Sequence, residues 1–250
     1  MSQENEWEKE YNRSTFLTKE NKPQADVARF VKFLKKEFKN SATSAESAKD
    51  GPLQNFSDFE NLKVLDLGSG TGRNSFYFAE LGASVASFEI SETAIEIARE
   101  NLADENKMSR VTLDIKYKKQ NIGEKFPLAD DWADIALDVT SSNSLSESER
   151  EIYLSETARV LKPGGYFFVK ALCKDGDDNA KHLLKNNPGG EADTYILPDT
   201  GIRERVFSRD DFVATYQKFF HILHLEKKTS YTTMSGRLYK RNFWICYLKK

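Results

Sequence analysis

The sequence has little cysteine and no long apolar run. Its 250 residues include two cysteines, Cys173 and Cys246, which are too few for a disulfide framework, so we expect a reducing, cytoplasmic location. No stretch approaches the roughly 18 apolar residues of a membrane helix, and the acidic N-terminus lacks the apolar run of a signal peptide. CxxC and HExxH spacings are missing as well. We therefore expect neither a membrane partner nor a metal site.

The sequence also lacks a surplus of basic charge. Lys and Arg total 37 against 39 Asp and Glu, for a formal net charge of −2. A protein whose affinity depends on neutralising phosphates usually carries a basic excess. Basic residues do concentrate in the last 30 residues, which predicts either the solvated face of a terminal hairpin or a patch for an anionic substrate. They are Lys227, Lys228, Arg237, Lys240, Arg241, Lys249 and Lys250, against Glu226 alone.

Residues 1–58 differ in pattern from the rest and are predicted to form an N-terminal helical cap and a linker. Residues 1–20 are polar, with Trp7, Tyr11, Phe16 and Leu17 as isolated apolar points. A helix should follow, capped by Asn21, with Pro23 in its first turn. Residues 40–58 are rich in Ser, Ala, Asp and Asn, which is typical of a linker. The helix should bury one apolar face at helical spacing: Val27, Phe30, Val31, Leu34 and Phe38.

Residues 59–250 are predicted to form a single α/β domain. Short apolar runs alternate with helical patterns, which is typical of a parallel sheet with crossover helices. A last helix begins near Ser208, and the two strands after it should pair antiparallel. The predicted strands are 64–67, 84–90, 111–117, 134–139, 166–172, 222–227 and 242–248, and the predicted helices between the first five are 73–81, 92–102 and 147–161.

Residues 173–207 interrupt this alternation. They are rich in Gly and Pro, with one short helix predicted around 179–185. An insertion of this length is usually a lid, a binding loop or disordered. Because it follows the carboxyl end of a strand, the edge at which open α/β sheets bind ligands, we predict a lid-like insertion.

The sharpest signal is a glycine loop between a buried strand and a helix. Val64–Leu67 runs into Gly68, Gly70 and Gly72, and the helix begins at Arg73. Glycine permits positive φ and close approach of the backbone to a ligand, and the helix N-terminus suits a carboxylate or phosphate. A tight strand–helix turn without a ligand is the alternative interpretation.

Glu89 strengthens the ligand interpretation. It ends the second predicted strand, 17 residues after Gly72. A carboxylate in that position can accept hydrogen bonds from both hydroxyls of a ribose. We therefore predict that Glu89 binds ribose rather than lying on the surface as a solvated acid.

The pattern Asp66-x-Gly68-x-Gly70-x-Gly72 resembles the first motif of class I S-adenosylmethionine (SAM)-dependent methyltransferases. A nicotinamide fingerprint would place the third glycine three residues after the second. Three later segments are also similar to the family: Ile115–Ile122, Phe126–Leu137 and Ala158–Gly165. Within the last of these, Lys162-Pro163-Gly164-Gly165 is quite specific. At position 121 this chain has Asn where family members usually carry Asp.

The resemblance implies a doubly wound, seven-stranded, mostly parallel sheet with an antiparallel last strand and helices on both faces. It also implies SAM as the cofactor. The glycine loop would hold the methionine part, Glu89 the ribose, and Asn121 with Ile122 the adenine, since an amide carbonyl still accepts a hydrogen bond. The predicted cofactor-binding residues are Asp66, Gly68, Ser69, Gly70, Thr71, Gly72, Glu89, Ile90, Asn121, Ile122 and Asp138.

The polar run after the fourth predicted strand supplies candidates for the reaction itself, because the resemblance places this loop beside the reactive methyl group. Asp138 is the candidate base, with capping of its own turn as the alternative. The run lacks the Asn-Pro-Pro-Tyr or Asp-Pro-Pro-Tyr motif of DNA base methyltransferases, so we expect no DNA substrate. Candidate acceptor-binding residues are Tyr11, Asn143, His182, Arg203 and Tyr231, with Tyr195 and Arg205 as further neighbours, and Trp7, Tyr11 and Phe16 could cap the cofactor.

Three functions remain open from the sequence. The first is a methyltransferase that acts on a nucleophilic N, O or S of a small molecule. The second keeps the cofactor but takes RNA or protein as the substrate, and rests on the basic tail. The third is a non-catalytic Rossmann-like binding protein or a nicotinamide-dependent oxidoreductase.

Overall fold

The chain begins with two helices, followed by nine strands and five further α-helices among the described residues. The computed structural model describes residues 3–13, 22–46, 59–108, 112–234 and 237–250. The helices are α1 (Glu4–Asn12), α2 (Ala25–Glu46), α3 (Arg73–Glu80), α4 (Glu92–Met108), α5 (Glu147–Val160), α6 (Asp178–Asn186) and α7 (Arg209–Tyr216). The strands are β1 (Lys63–Leu67), β2 (Ser84–Glu89), β3 (Ile115–Lys119), β4 (Ala133–Val139), β5 (Leu161–Leu172), β6 (Thr194–Ile196), β7 (Arg203–Arg205), β8 (His221–Met234) and β9 (Arg237–Lys249).

The described residues form one seven-stranded sheet in the order β3-β2-β1-β4-β5-β9-β8. Strands β1 to β5 pair in parallel, and β9 lies antiparallel between β5 and β8. The strand order reverses between β1 and β4, so the sheet is doubly wound. The predicted fold class is confirmed, including the antiparallel last strand.

Two apolar layers cover the two faces of this sheet, because successive side chains of a strand point to opposite sides. In β1, Val64 packs on one face and Leu65 on the other. Helix α2 covers the first face with Phe30 and Leu34. Helices α5 and α7 cover the second, with Tyr153 and Phe212. The apolar face predicted for α2 is thus part of the main core.

Several boundaries differ from the prediction. Strands β8 and β9 are longer than expected because they pair with each other along almost their whole length. Strand β3 begins at Ile115, where pairing with Val85 of β2 starts, and the insertion adds a small hairpin of β6 and β7 that no pattern indicated. The predicted Asn21 cap, Phe16 and Leu17 lie outside the described residues. The domain boundary at residue 58 stays a prediction.

Among the described residues, no helix is both long and apolar enough to span a lipid bilayer. The two cysteines are buried and do not form a disulfide with each other.

Candidate cofactor-binding and active site

A deep cleft of about 1140 Å³ opens at the carboxyl-terminal edge of the parallel strands. It lies at the point where the strand order reverses, which is the usual ligand position in open α/β sheets. The loop between β1 and α3, helix α1 and the start of α2 all contribute to its lining. Eight of the eleven residues predicted to bind the cofactor line this cleft: Gly68, Ser69, Gly70, Thr71, Glu89, Ile90, Asn121 and Ile122.

The backbone of the glycine loop requires glycine for two reasons. Gly68 and Gly70 have φ values of 72° and 56°, in the left-handed region that other residues rarely adopt. Their surroundings are also crowded. A Cβ on Gly68 would lie 2.2 Å from Cβ of Ser141, and a Cβ on Gly70 would lie 2.7 Å from the hydroxyl of Tyr11. The loop therefore brings bare main chain into the cleft.

Asp66 and Gly72 do not line the cleft, contrary to the sequence prediction. Asp66 is 1% exposed and accepts a hydrogen bond of 2.6 Å from the Ser75 hydroxyl on α3. Burial, offset in part by that hydrogen bond, raises the pKa of Asp66 to about 6. Gly72 precedes α3 with φ of 87°, and a Cβ there would lie 2.3 Å from the Tyr117 hydroxyl. Both residues determine the shape of the loop from the side away from the cleft.

Glu89 ties the glycine loop to the end of β2. Its carboxylate is 5% exposed and accepts hydrogen bonds from the backbone N–H groups of Gly70 (2.8 Å), Ile90 (2.8 Å) and Ser91 (2.9 Å). Burial raises the pKa of Glu89, although these three donors oppose the shift. The carboxylate lines the cleft at the predicted strand end, and it also holds the loop in place.

Asn121 and Ile122 lie beside Ile90 at the far end of the cleft. The Asn121 side-chain oxygen accepts a hydrogen bond of 2.9 Å from the Gly123 backbone N–H, so it shapes its own turn. Ile122 is 7% exposed and offers an apolar surface. The arrangement suits a flat aromatic base against an apolar wall with an amide at its edge.

Asp138 is not in the cleft, and its predicted roles as base and cofactor ligand do not match its position. Its side chain is fully buried. One carboxylate oxygen accepts hydrogen bonds from the Ser141 backbone N–H (3.0 Å) and hydroxyl (2.5 Å), and the other accepts one of 2.7 Å from the Tyr153 hydroxyl. Asp138 caps the turn after β4, which was the alternative considered for it. The reason is that α5 packs directly on this carboxylate, which the local sequence does not reveal.

The turn after β4 reaches the cleft through Thr140 and Ser141. Thr140 has φ of 68°, a strained value for a β-branched residue. The Ser141 hydroxyl oxygen also lies 2.5 Å from the Leu67 carbonyl oxygen, so Ser141 joins the ends of β4 and β1. Strained backbone of this kind often occurs at functional sites.

Two of the five predicted acceptor-binding residues, Tyr11 and Tyr231, line the cleft. The other three do not. The Asn143 amide oxygen accepts from the backbone N–H of Leu172 and its amide nitrogen donates to the Thr140 carbonyl, so Asn143 joins two strand ends. His182 is exposed on α6 and contacts Asn186. Arg203 lies behind the wall, 3.5 Å from the Glu149 carboxylate.

Helix α1 covers the cleft, a position that the sequence left open both to the N-terminal aromatic residues and to a lid-like insertion. Trp7 and Tyr11 face the cleft from α1. The Glu8 carboxylate accepts hydrogen bonds from the Ser91 hydroxyl (2.7 Å) and from the hydroxyl of Thr93, at the start of α4. Although burial opposes the shift, these hydrogen bonds hold the pKa of Glu8 below its usual value.

Residues 173–207 are all described, and none of them lines the cleft. They contact α1 outside the cleft instead. The Gln3 side-chain oxygen accepts from the Arg203 backbone N–H at 2.6 Å, and the Arg13 guanidinium donates to the Asp199 carbonyl at 3.1 Å. The insertion therefore buttresses the covering helix. The predicted contact of Phe16 falls outside the described residues.

Sequence reasoning missed a further wall of the cleft, formed by residues 22–26, Lys170 and Lys228. These residues are far apart in the chain, and sheet pairing with the packing of α2 brings them together. Lys170 did carry a detectable signal, because a lysine interrupts the apolar run of a buried central strand near its carboxyl end.

The described basic side chains of the tail do not form one open patch. Lys228, Arg241 and Lys250 pair with carboxylates, and Arg241 is 5% exposed. Lys227 lies on the other side of β8 from Lys228 and donates to the Asp175 carbonyl. The charges are distributed over several surfaces of β8 and β9.

Two serines of the cleft have buried hydroxyl groups that lack a hydrogen-bond partner among the described residues. Ser69 and Ser144 line the cleft, and their hydroxyl oxygens are the buried atoms without such a partner. Such atoms are costly unless a ligand or water satisfies them. A polar ligand across the glycine loop would fit both the bare main chain and these hydroxyls.

Comparison with known proteins agrees with this architecture. The model of a family described as "Methyltransferase domain" matches residues 58–207, three fifths of the chain. A solved SAM-dependent methyltransferase from Methanosarcina mazei superposes with a TM-score of 0.66, at 23% identity, over 79% of this chain and 94% of the other.

Two curated relatives are similar over the methyltransferase region. Ubiquinone biosynthesis O-methyltransferase of Bartonella tribocorum is 32% identical over 120 residues, covering 46% of this chain and 42% of the relative. Sterol 4-C-methyltransferase strm-1 of Caenorhabditis elegans is 31% identical over 129 residues, covering 49% and 36%. The chain thus spans less than half the length of these relatives. With the family match and the fold together, the chain belongs to the class I SAM-dependent methyltransferases.

Proposed function

We propose that this protein binds SAM in the cleft and transfers its methyl group to a nucleophilic N, O or S atom of a small molecule. The observation that carries the proposal is the bare main chain of Gly68 and Gly70, tied to Glu89 at the floor of a cleft. Family membership supports the reaction class, and the unpartnered hydroxyls of Ser69 and Ser144 support a polar ligand.

Each part of the cofactor has a suitable surface in the cleft. The glycine loop and the Ser69 hydroxyl would hold the methionine part. Glu89 would accept hydrogen bonds from the ribose hydroxyls, in addition to those from its own loop. Asn121 and Ile122 would hold the adenine, with the amide at its edge and the apolar side chain against its face.

The cofactor supplies an already activated methyl group on a sulfonium. What the chain must add is alignment of the acceptor atom with that methyl and exclusion of water, and alignment of this kind can account for about 7–11 kcal/mol of a reaction barrier. The turn at Thr140 and Ser141 is positioned to direct the acceptor. Trp7 and Tyr11 on α1 cover the cleft and would exclude water.

A small molecule is the acceptor that the cleft supports best. Trp7 and Tyr11 of helix α1 cover part of the cleft. In the described part of the basic tail, Lys228, Arg241 and Lys250 are paired with carboxylates, which lowers the charge available to RNA. The names of the two curated relatives refer to different acceptor atoms, an oxygen and a carbon. The acceptor of this chain therefore has to be found by experiment.

Titration calorimetry with SAM and with its demethylated product, S-adenosylhomocysteine, tests the proposal. We expect micromolar binding of both compounds and no binding of NAD under the same conditions. Absence of SAM and S-adenosylhomocysteine binding at millimolar concentration would refute the cofactor assignment. Binding of NAD instead would favour the oxidoreductase alternative.

A further inference from the structure

The wall of the cleft opposite the adenine end carries an excess of positive charge. The volume of about 1140 Å³ exceeds the 300–1,000 Å³ typical of a site for one drug-sized ligand, so a second molecule fits beside the cofactor. The remaining wall consists of residues 22–26, the end of β5 and the middle of β8. This part of the cleft is where an acceptor would lie, next to Thr140.

Three cations converge on one buried carboxylate in this wall. Asp26, 3% exposed, contacts the ammonium groups of Lys170 (3.1 Å) and Lys228 (2.5 Å) and the guanidinium of Arg29 (3.1 Å). Glu226 pairs with Arg29 at 2.5 Å and also faces His224 at 3.7 Å. Three cations thus face two carboxylates, which leaves an excess of one positive charge.

The excess charge is located on Lys228. The ammonium group of Lys170 has little hydrogen-bonding capacity left for a ligand. Besides contacting Asp26, it donates to the Gln24 side-chain oxygen at 2.9 Å and lies 4.6 Å from the centre of the Phe243 ring. Lys228 has three N–H donors, and Asp26 is its sole hydrogen-bond partner in the described part of the chain. Its side chain is 37% exposed and lines the cleft, so its other donors are available to a ligand.

Two other features of the same wall favour an anion. Helix α2 begins here, and its N-terminus adds partial positive charge. Lys22 lines the cleft as well. Three acids line the cleft, and two of them, Glu89 and Glu149, belong to the adenosine end. The third, Asp26, lies in this wall and is already paired with Arg29, Lys170 and Lys228.

We propose that the methyl acceptor is a small anion, a carboxylate or a phosphate ester, whose charged group binds Lys228, with Lys170 as a positioning residue that neutralises Asp26. This inference rests on the proposed function and specifies its substrate class. Removing Lys170 would leave Asp26 to neutralise Lys228, so both lysines are needed for the anion to bind.

Calorimetry on the protein saturated with S-adenosylhomocysteine tests the proposal, because the cofactor's own anion site is then filled. Benzoate and phenyl phosphate are the anionic probes, and benzyl alcohol is the neutral one. We expect one or both anions to bind at least about tenfold more tightly than benzyl alcohol, from the 1.5–3 kcal/mol of a charged hydrogen bond. Whichever anion binds more tightly identifies the charged group.

Variants of Lys228, Lys170 and Lys227 test whether the preference for anions comes from the proposed wall. Lys228→Met and Lys170→Met should each weaken anion binding about tenfold while benzyl alcohol and S-adenosylhomocysteine bind as before. Lys228→Arg should retain the preference for anions, and Lys227→Met, on the other face of β8, should match the wild type. If the cofactor product binds but the anions show no preference, or if Lys228→Met leaves that preference intact, the inference is wrong while the proposed function stands. Failure of the cofactor product to bind would instead refute the proposed function.

Discussion

Replacing Gly68 by alanine separates the two reasons for glycine in the cofactor loop. Gly68 has φ of 72°, and an added Cβ would lie 2.2 Å from Cβ of Ser141. Gly190 provides a matched control, since its φ is 89° and an added Cβ would meet no atom within 4 Å. Both substitutions impose the same kind of backbone strain, and Gly68→Ala alone adds a collision.

The magnitudes follow from these two contributions. A left-handed alanine costs roughly 1–2 kcal/mol, in both variants. The collision adds about 1–3 kcal/mol, which is typical of overpacking. Ser141 cannot move freely, because its hydroxyl oxygen lies 2.5 Å from the Leu67 carbonyl oxygen and 2.5 Å from an Asp138 carboxylate oxygen. We therefore expect Gly68→Ala to be less stable than Gly190→Ala by about 1–3 kcal/mol.

Thermal unfolding and titration with S-adenosylhomocysteine measure the two effects. For a domain of 150–250 residues, each kcal/mol lowers the melting temperature by about 2–4 °C. Gly68→Ala should therefore melt at least about 2 °C below Gly190→Ala, and only Gly68→Ala should lose affinity for the cofactor product. Equal melting temperatures with equal affinities in the two variants would refute the steric argument.

Three other predictions concern carboxylates that accept hydrogen bonds. Glu89→Gln should weaken S-adenosylhomocysteine binding about tenfold or more in calorimetry, since the Gly70 N–H and a ribose hydroxyl both lose a charged acceptor; affinity within twofold of wild type would contradict the ribose role. The raised pKa of Asp66, about 6, means that its contribution to stability is full below pH 4 and is lost as pH rises through 6, by at most about 3 kcal/mol. The melting temperature of Asp66→Asn should therefore rise relative to that of the wild type between pH 4 and pH 7. A constant difference between the two melting temperatures would show that the pKa of Asp66 is not raised. Glu8→Gln should loosen α1 from Thr93 and speed amide exchange in α1 about tenfold, with unchanged exchange as the contrary result.

Helix α1, which covers the cleft, is attached to the rest of the fold by few buried apolar contacts. Helix α1 is held by its ends and by Glu8, through contacts with α4 and with the insertion. Its residues contribute little to the two main cores, and none of them is fully buried. Elements with few buried apolar contacts open most readily. We therefore expect α1 to open more readily than the elements of the two main cores.

The cofactor end of the site was predictable because its information is local. Gly68, Gly70 and Glu89 fall within one β-α-β unit, and the conformation of such a unit follows from glycine spacing and from the alternation of apolar residues. The mostly parallel sheet with its antiparallel last strand followed from the same alternation, together with the family resemblance. The glycine loop and Glu89 depend on neighbours within one β-α-β unit, so the sequence alone places them correctly.

The sequence by itself determined the α/β sheet, the glycine loop and the carboxylate at the end of β2. Only the tertiary structure decided that Asp138 is buried under Tyr153, that α1 rather than the insertion covers the cleft, and that Lys170 and Lys228 share Asp26. The physical reason is that backbone conformation is set by short segments, whereas the exposure and charge environment of a side chain depend on which distant segments pack against it. Asp26 and Lys228 are 202 positions apart, and nothing near either residue indicates that they meet.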